Sequence, residues 1–387
     1  MRILMLAPDF KPNPGGLAEY VHQMARNLTL CGDEVVVRSS VDGHGDDGFK
    51  YTVRRGSLGP WCATSASRWN VVDRGRMVAA NCRKAGNILD RVNPDVLWFT
   101  TVAQRYSMRY WSAACKIRRI PHVVSVHGLD AAWYLEDAFD VVGRMTLRGA
   151  DRIFFTTRRV GERFLGSLTT EEQLTVVRCG INPEAYRETG SDSSRAETIE
   201  DSPSVLCLGR LVSRKGFDTV IQAMPRVRRA VPGARLVVCG DGPDRDRLEG
   251  LAESHGLNSA VMFPGYVPEQ EKREYLHACD VFAMPSREEE GGNIEGFGIV
   301  YLEAAACGKP SIAAETGGVP EAVLHEETGL LVPPDDPDAL ADAIVKLLKD
   351  DELRQRLGRA ARRRVEQELN WTSIARRVHG ILEEVAQ

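Results

Sequence analysis

The chain writes one alternation twice. Short β-branched runs are followed by longer amphipathic segments, a polar stretch interrupts, and the alternation starts again. A strand-length run followed by a helix-length segment returns over a sheet face to the next strand, which builds βαβ units and parallel sheets. In the first half the expected strands are 3–7, 34–39, 96–100, 122–126 and 152–156, with helices at 16–30 and 76–92. In the second half they are 205–209, 235–239, 261–263, 281–284, 311–313 and 329–332, with helices at 217–230, 244–255 and 299–307. Helical patterns at 338–349, 352–368 and 371–385 close the chain. Around 190–203 the text is polar and nearly free of large apolar residues, which reads as a linker. The prediction is an α/β chain of two doubly wound domains. The first covers 1–185, a linker 186–203, and the second 204–370. In such sheets ligands bind beyond the carboxyl ends of the strands, so the expected site is the cleft the two domains face.

Composition narrows the class. The 387 residues are 43 % hydrophobic, enough for two buried cores. That excludes a disordered chain and a disulfide-stapled miniprotein. No run reaches the length needed to span a bilayer. The start has one cation, a very short apolar stretch and then Asp9, the pattern of a first strand and not of a signal peptide. Nine cysteines lie at least 20 residues apart, with no Cys-x-x-Cys, as expected of reduced thiols in the cytoplasm. The net charge of −4 divides into +6 over residues 1–190 and −10 over the rest. A basic half suits an anionic membrane face or a phosphorylated ligand. An acidic chain with no base-reading motif argues against nucleic acid. The first half also holds Arg68, Arg74, Arg76, Arg83, Lys84, Arg105, Arg109, Lys116, Arg118 and Arg119, and five of the six tryptophans. Such a mixture fits a membrane surface or a lipid acceptor, and equally a packed core.

Four motifs carry chemistry. Pro14-Gly15-Gly16 follows the first strand and opens the first helix, where two glycines let backbone N–H groups approach an anion. It is neither Gly-x-Gly-x-x-Gly nor a P-loop. Gly209-Arg210-Leu211-Val212-Ser213-Arg214-Lys215-Gly216 lies at a strand-to-helix turn. Arg210 and Lys215 are expected to converge on one anion there, with Arg214 exposed. In the block Glu295-Gly296-Phe297-Gly298-Ile299-Val300-Tyr301-Leu302-Glu303, seven residues separate two carboxylates, one in a glycine-rich loop and one in an apolar helix. Carboxylates accept paired hydroxyls, as a sugar and a ribose present them. Finally, His127 stands at the carboxyl end of the strand 122–126 and is followed by Gly128-Leu129-Asp130. A lone histidine there is either structural or functional. Glu288-Glu289-Glu290 reads as a solvated turn.

In their order along the chain the motifs resemble the GT-B glycosyltransferases of family 4 over nearly the whole chain, and Thr316-Gly317-Gly318-Val319-Pro320-Glu321 fits the same pattern. Within that family, Glu295–Ala304 and Phe282-Ala283-Met284-Pro285 look most like phosphatidylinositol-mannoside mannosyltransferases. The resemblance implies a retaining, metal-independent hexosyltransferase with no resident cofactor. Its co-substrate would be a GDP- or UDP-sugar, with GDP-mannose the first expectation, and its acceptor a lipid or lipid-linked glycan. The alternative is a UDP-sugar-dependent enzyme acting on a soluble metabolite or natural product. It further implies that Arg210 and Lys215 hold the diphosphate and that Gly15 and Gly16 approach the distal phosphate. Glu295, Gly296 and the N–H groups of Phe297, Gly298 and Ile299 would hold the donor sugar. Glu303 would take the ribose, and Tyr266 and Val267 the base. His127 would lie beside the donor sugar, with Asp130 on the acceptor side. Family members usually carry His-Gly-His-Glu where this chain has His127-Gly128-Leu129-Asp130. That difference bears on the acceptor. The C-terminal helix, 371–387, would return to the first domain. The enzyme would be cytoplasmic, with a peripheral contact at the inner membrane face through its basic first domain.

Overall fold

A computed structural model describes residues 1–13, 15–42, 48–58, 71–102, 105–127, 141–166, 169–187, 202–290 and 293–387. It divides into two compact units, Met1–Cys179 with Trp371–Gln387, and Gly180–Asn370.

In the first unit the elements run β1 (Arg2–Ala7), α1 (Gly16–Leu30), β2 (Glu34–Ser39), β3 (Thr52–Arg55), α2 (Val71–Val92) and β4 (Val96–Phe99). They continue through α3 (Arg105–Arg118), β5 (His122–Val126), α4 (Val141–Arg148), β6 (Arg152–Phe155), α5 (Arg158–Glu162) and β7 (Leu174–Val176). All seven strands are parallel, in the order β3-β2-β1-β4-β5-β6-β7. Leu4 pairs with Val36 on one side and Leu97 on the other. Helices cover both faces, so β1, β4 and β5 are apolar almost throughout and buried. Strands β3 and β7 were not expected. Both are short edge strands without a fully buried residue, so neither shows the apolar run that marks the central ones.

The second unit runs β8 (Ser204–Leu208), α6 (Phe217–Ala230), β9 (Arg235–Cys239), α7 (Arg245–Ser254), β10 (Val261–Gly265), α8 (Glu269–Ala278) and β11 (Val281–Met284). Then follow α9 (Ile299–Ala306), β12 (Ser311–Ala314), α10 (Val319–Ala322), β13 (Gly329–Val332), α11 (Pro337–Lys349) and α12 (Asp351–Gln367). Its six parallel strands lie in the order β10-β9-β8-β11-β12-β13. One side of the core is the apolar stripe of α6, with Phe217, Val220, Ile221 and Met224, packed in one cluster with Leu340, Ile344 and Leu347 of α11. The stripe repeats every three to four residues, as a helix requires. Asp336 and Asp350 cap α11 and α12 by accepting the N–H groups of Ala339 and Leu353.

The last helix, α13 (Trp371–Ala386), packs on α1 of the first unit. Trp371 meets Tyr20 edge-on at 5.7 Å, and Thr372 donates to Asn27. His379 lies 2.9 Å from the buried carboxylate of Asp33. Cys115, Cys239, Cys279 and Cys307 are free thiols that burial pushes up to about 12. No helix among the described residues is long and apolar enough to cross a membrane.

Candidate active site

In a doubly wound sheet the strand order reverses at one point, and the loops leaving the two strands there diverge to opposite faces. In the second unit that point lies between β8 and β11. The loop after β8 carries Gly209–Gly216 and the loop after β11 carries Pro285–Gly298. Gly216 brings them together, and Gly317, in the loop after β12, closes on the second. Gly216 has φ +71°, and a Cβ there would lie 2.1 Å from the Pro285 carbonyl oxygen, so only glycine permits the approach. A Cβ on Gly317 would lie 2.5 Å from the carbonyl oxygen of Glu295, and the N–H of Gly318 donates to that same oxygen at 2.9 Å.

The Glu295 side chain is thereby held against two cations. Its Oε2 accepts from Lys215 at 2.5 Å and from Arg214 at 2.9 Å. Burial alone would raise the Glu295 carboxyl, but the charges of Lys215 and Arg214 outweigh it and hold the carboxyl below its usual range. Arg214 is 11 % exposed at its side chain, against 13 % for Lys215 and for Glu295. The expectation of an exposed Arg214 is therefore corrected. The turn Ser213–Lys215 is a short 3₁₀ segment that directs Arg214 inward beside Lys215. Arg210 is the exposed one.

Arg210 instead lines a pocket of about 480 Å³ beyond the carboxyl ends of β8, β9 and β10. Gly209, Gly240, Tyr266, Val267 and Lys272 share its wall. Tyr266 is 80 % exposed. Glu303, one turn into α9, is buried, and two residues that the sequence did not single out fix it. Its Oε1 accepts from Lys272 at 2.7 Å and from the Tyr186 hydroxyl at 2.9 Å. Its Oε2 is buried and has no partner among the described residues. Burial works against the Lys272 charge, but Glu303 and Glu269 outweigh it and raise the ammonium above its usual range. Burial, then the two carboxylates, also raise Tyr186, so its hydroxyl stays protonated. Phe297 is buried, and Gly298 caps α9 at φ +86°, where a Cβ would meet the Tyr301 ring at 2.4 Å. Gly296 and Ile299 are partly buried beside them. Glu289 accepts from Asn293 and closes its own loop.

In the first unit the order reverses between β1 and β4. Gly15 caps α1 at φ +155°, and a Cβ on Gly16 would meet nothing within 4 Å, so this helix start is open. His127 follows β5. Its Nε2–H donates to the Thr100 carbonyl at 2.9 Å, and its ring meets Tyr20 edge-on at 4.9 Å. The donor bond fixes the tautomer and leaves Nδ1 as the acceptor of the neutral ring. Gly128, Leu129, Asp130, Gly291 and Gly292 lie outside the described residues. So do Trp61, Trp69 and Trp133, and the side chains of Arg68, Arg74, Arg76 and Arg105. Trp98 and Trp111 are core residues whose N–H groups reach Ser125 and the Leu58 carbonyl, so neither belongs to a surface belt.

Comparison with known proteins covers both units. Residues 14–185 match Glycosyltransferase Family 4, and residues 191–364 match Glycosyl transferases group 1. A GDP-mannose-dependent alpha-(1-6)-phosphatidylinositol monomannoside mannosyltransferase of Mycobacterium tuberculosis is 30 % identical, with 98 % of each chain covered. A GDP-mannose-dependent monoacylated alpha-(1-6)-phosphatidylinositol monomannoside mannosyltransferase of Corynebacterium glutamicum is 28 % identical over 99 % of this chain and 98 % of its own. Among solved structures, Anabaena HepE in complex with UDP superimposes with TM-score 0.79, 21 % identity, and coverage of 99 % of this chain and 100 % of that one.

Proposed function

The chain belongs to the family 4 glycosyltransferases, and on that premise we propose that it moves mannose from GDP-mannose to a hydroxyl of a phosphatidylinositol-mannoside-type lipid. The observation that carries this reading is the paired arrangement of Glu295 against Arg214 and Lys215, with the unpartnered Oε2 of Glu303 in the same unit. The relatives' names supply the donor and acceptor classes. The two parallel-sheet units are those of the GT-B fold.

Lys215, Arg214 and Arg210 face the diphosphate. Negative charge grows there as the bond to the sugar breaks, and fixed cations stabilise it without reorganisation. This makes a resident metal and any other cofactor unnecessary. Glu295 and the loop Gly296–Ile299 hold the sugar hydroxyls, and Glu303 accepts from the ribose diol. Tyr266 and Val267 flank the base, and Gly15 and Gly16 offer the first helix's N–H groups to the distal phosphate. His127 stands beside the donor sugar. Transfer retains configuration. The acceptor oxygen bonds to the anomeric carbon on the face from which the diphosphate leaves, and the acceptor's proton passes to a departing phosphate oxygen. The first unit takes the acceptor, with Asp130 on that side, and its exposed cations Arg83, Lys84, Lys116 and Arg119 give a peripheral contact with an anionic membrane face. The enzyme then works from the cytoplasm.

The test is thermal stabilisation by GDP, UDP and ADP, followed by Lys215→Ala. Ligand at 100 times its dissociation constant adds about 2.7 kcal/mol. A GDP-selective shift that Lys215→Ala abolishes supports the reading, and a UDP-selective shift overturns the donor assignment.

A further inference from the structure

The Glu303 carboxylate is occupied on one oxygen only. Oε1 takes Lys272 and Tyr186, while Oε2, in a residue 8 % exposed, has no partner among the described residues. A turn of the carboxylate about its terminal bond would exchange the two oxygens, so what holds Oε1 decides what Oε2 faces. Of the two, Lys272 is the looser restraint. Its ammonium is shared with Glu269 at 2.7 Å, and it sits on a flexible stem that can follow a rotated carboxylate. Tyr186 is a rigid one. Its hydroxyl sits on a ring with few rotamers, and the ring is fixed from two directions. The Arg273 guanidinium lies over it at 5.4 Å and the Lys272 ammonium at 5.8 Å, while His277 donates to the Tyr186 backbone carbonyl at 3.0 Å and holds the residue's main chain. The hydroxyl also reaches Glu269 at 3.0 Å. A phenol carries one hydrogen, so it serves one carboxylate at a time, and a bound ribose would settle which.

We propose that Tyr186 is the positioning residue of the donor site, holding Oε1 of Glu303 so that Oε2 is aimed at the ribose hydroxyls. This rests on the reading that Glu303 takes the ribose. Tyr186 reaches the site from the turn Pro183–Tyr186, where the chain has just entered the second unit.

The experiment is calorimetric binding of whichever of GDP and UDP the wild type prefers, and of its 2′,3′-dideoxy analogue, to wild type and Tyr186→Phe. Losing a hydrogen bond to a charged group raises the dissociation constant of the ribonucleotide about tenfold. The dideoxy analogue cannot use Oε2, so its affinity falls less than twofold. Near-equal losses on the two ligands, or no loss on either, overturn the proposal while leaving the ribose reading intact. A wild type that binds both ligands equally well overturns the ribose reading and the proposal with it. The dideoxy arm also reports whether the variant keeps a formed site.

Discussion

Replacing Glu295 by Gln keeps the shape of the side chain and removes its charge. Lys215 and Arg214 are then left about nine-tenths buried with no carboxylate between them. Removing one partner from a buried ion pair costs roughly 3–5 kcal/mol. The residual exposure of about a tenth at each side chain puts the loss near the lower limit, about 3 kcal/mol. For a unit of this size that lowers the melting temperature by about 6–12 °C. The carboxyl is held below its ordinary value of 4.5, so its stabilisation is complete above that pH and is lost as pH falls through the lowered value. The gap between wild type and Glu295→Gln therefore narrows below pH 4.5. Ligand binding moves the other way. A nucleoside diphosphate no longer competes with Glu295 for the two cations, so GDP stabilises the variant at least as much as the wild type, while sugar transfer falls by at least 100-fold, about the loss of one transition-state stabilising group. Differential scanning calorimetry with and without GDP, paired with turnover, checks all three. Weaker GDP binding in Glu295→Gln, in step with lost turnover, would refute the view that this carboxylate balances the diphosphate cations and acts on the sugar.

Arg210 is exposed on the pocket wall, so Arg210→Ala should weaken GDP binding about tenfold by calorimetry while unfolding stability stays within about 0.5 kcal/mol. Gly216→Ala forces a Cβ against the Pro285 carbonyl at a positive φ, and urea unfolding should show a loss of at least about 2 kcal/mol, with donor affinity reduced. Burial holds the His122 imidazole down to about 4, so the unfolded chain binds the extra proton between pH 6.5 and 4. The first unit should lose about 2 kcal/mol in urea between pH 7 and pH 5, because each step of one pH unit below 6.5 costs about 1.4 kcal/mol. If side chains alone meet the charge on the leaving diphosphate, as proposed, excess chelator leaves the initial rate of transfer unchanged.

The central strands were legible because both their faces are covered, which writes them as apolar runs, and α6 because its stripe is regular. The edge strands β3 and β7 were not, since each leaves polar residues half exposed. At the site, the glycines and carboxylates announced themselves by spacing. Arg214 reads as exposed because nothing in the turn's sequence says which of its cations points inward; the 3₁₀ turn before Gly216 aims Arg214 at Glu295. Lys272 and Tyr186 were invisible for a different reason. They lie 31 and 117 residues from Glu303, and nothing local to either reports a long-range partner. A lysine in the first turn of a charged helix and a tyrosine beside a polar stretch both read as surface.

The proposed reaction carries mannose from a nucleotide to a lipid. The direct measurement is incubation of the purified protein with radiolabelled GDP-mannose and vesicles containing phosphatidylinositol monomannoside, followed by extraction of the lipid. Label in the lipid fraction from wild type, and none from Glu295→Gln, is the predicted result. No label in lipid from folded, GDP-binding wild type would contradict it.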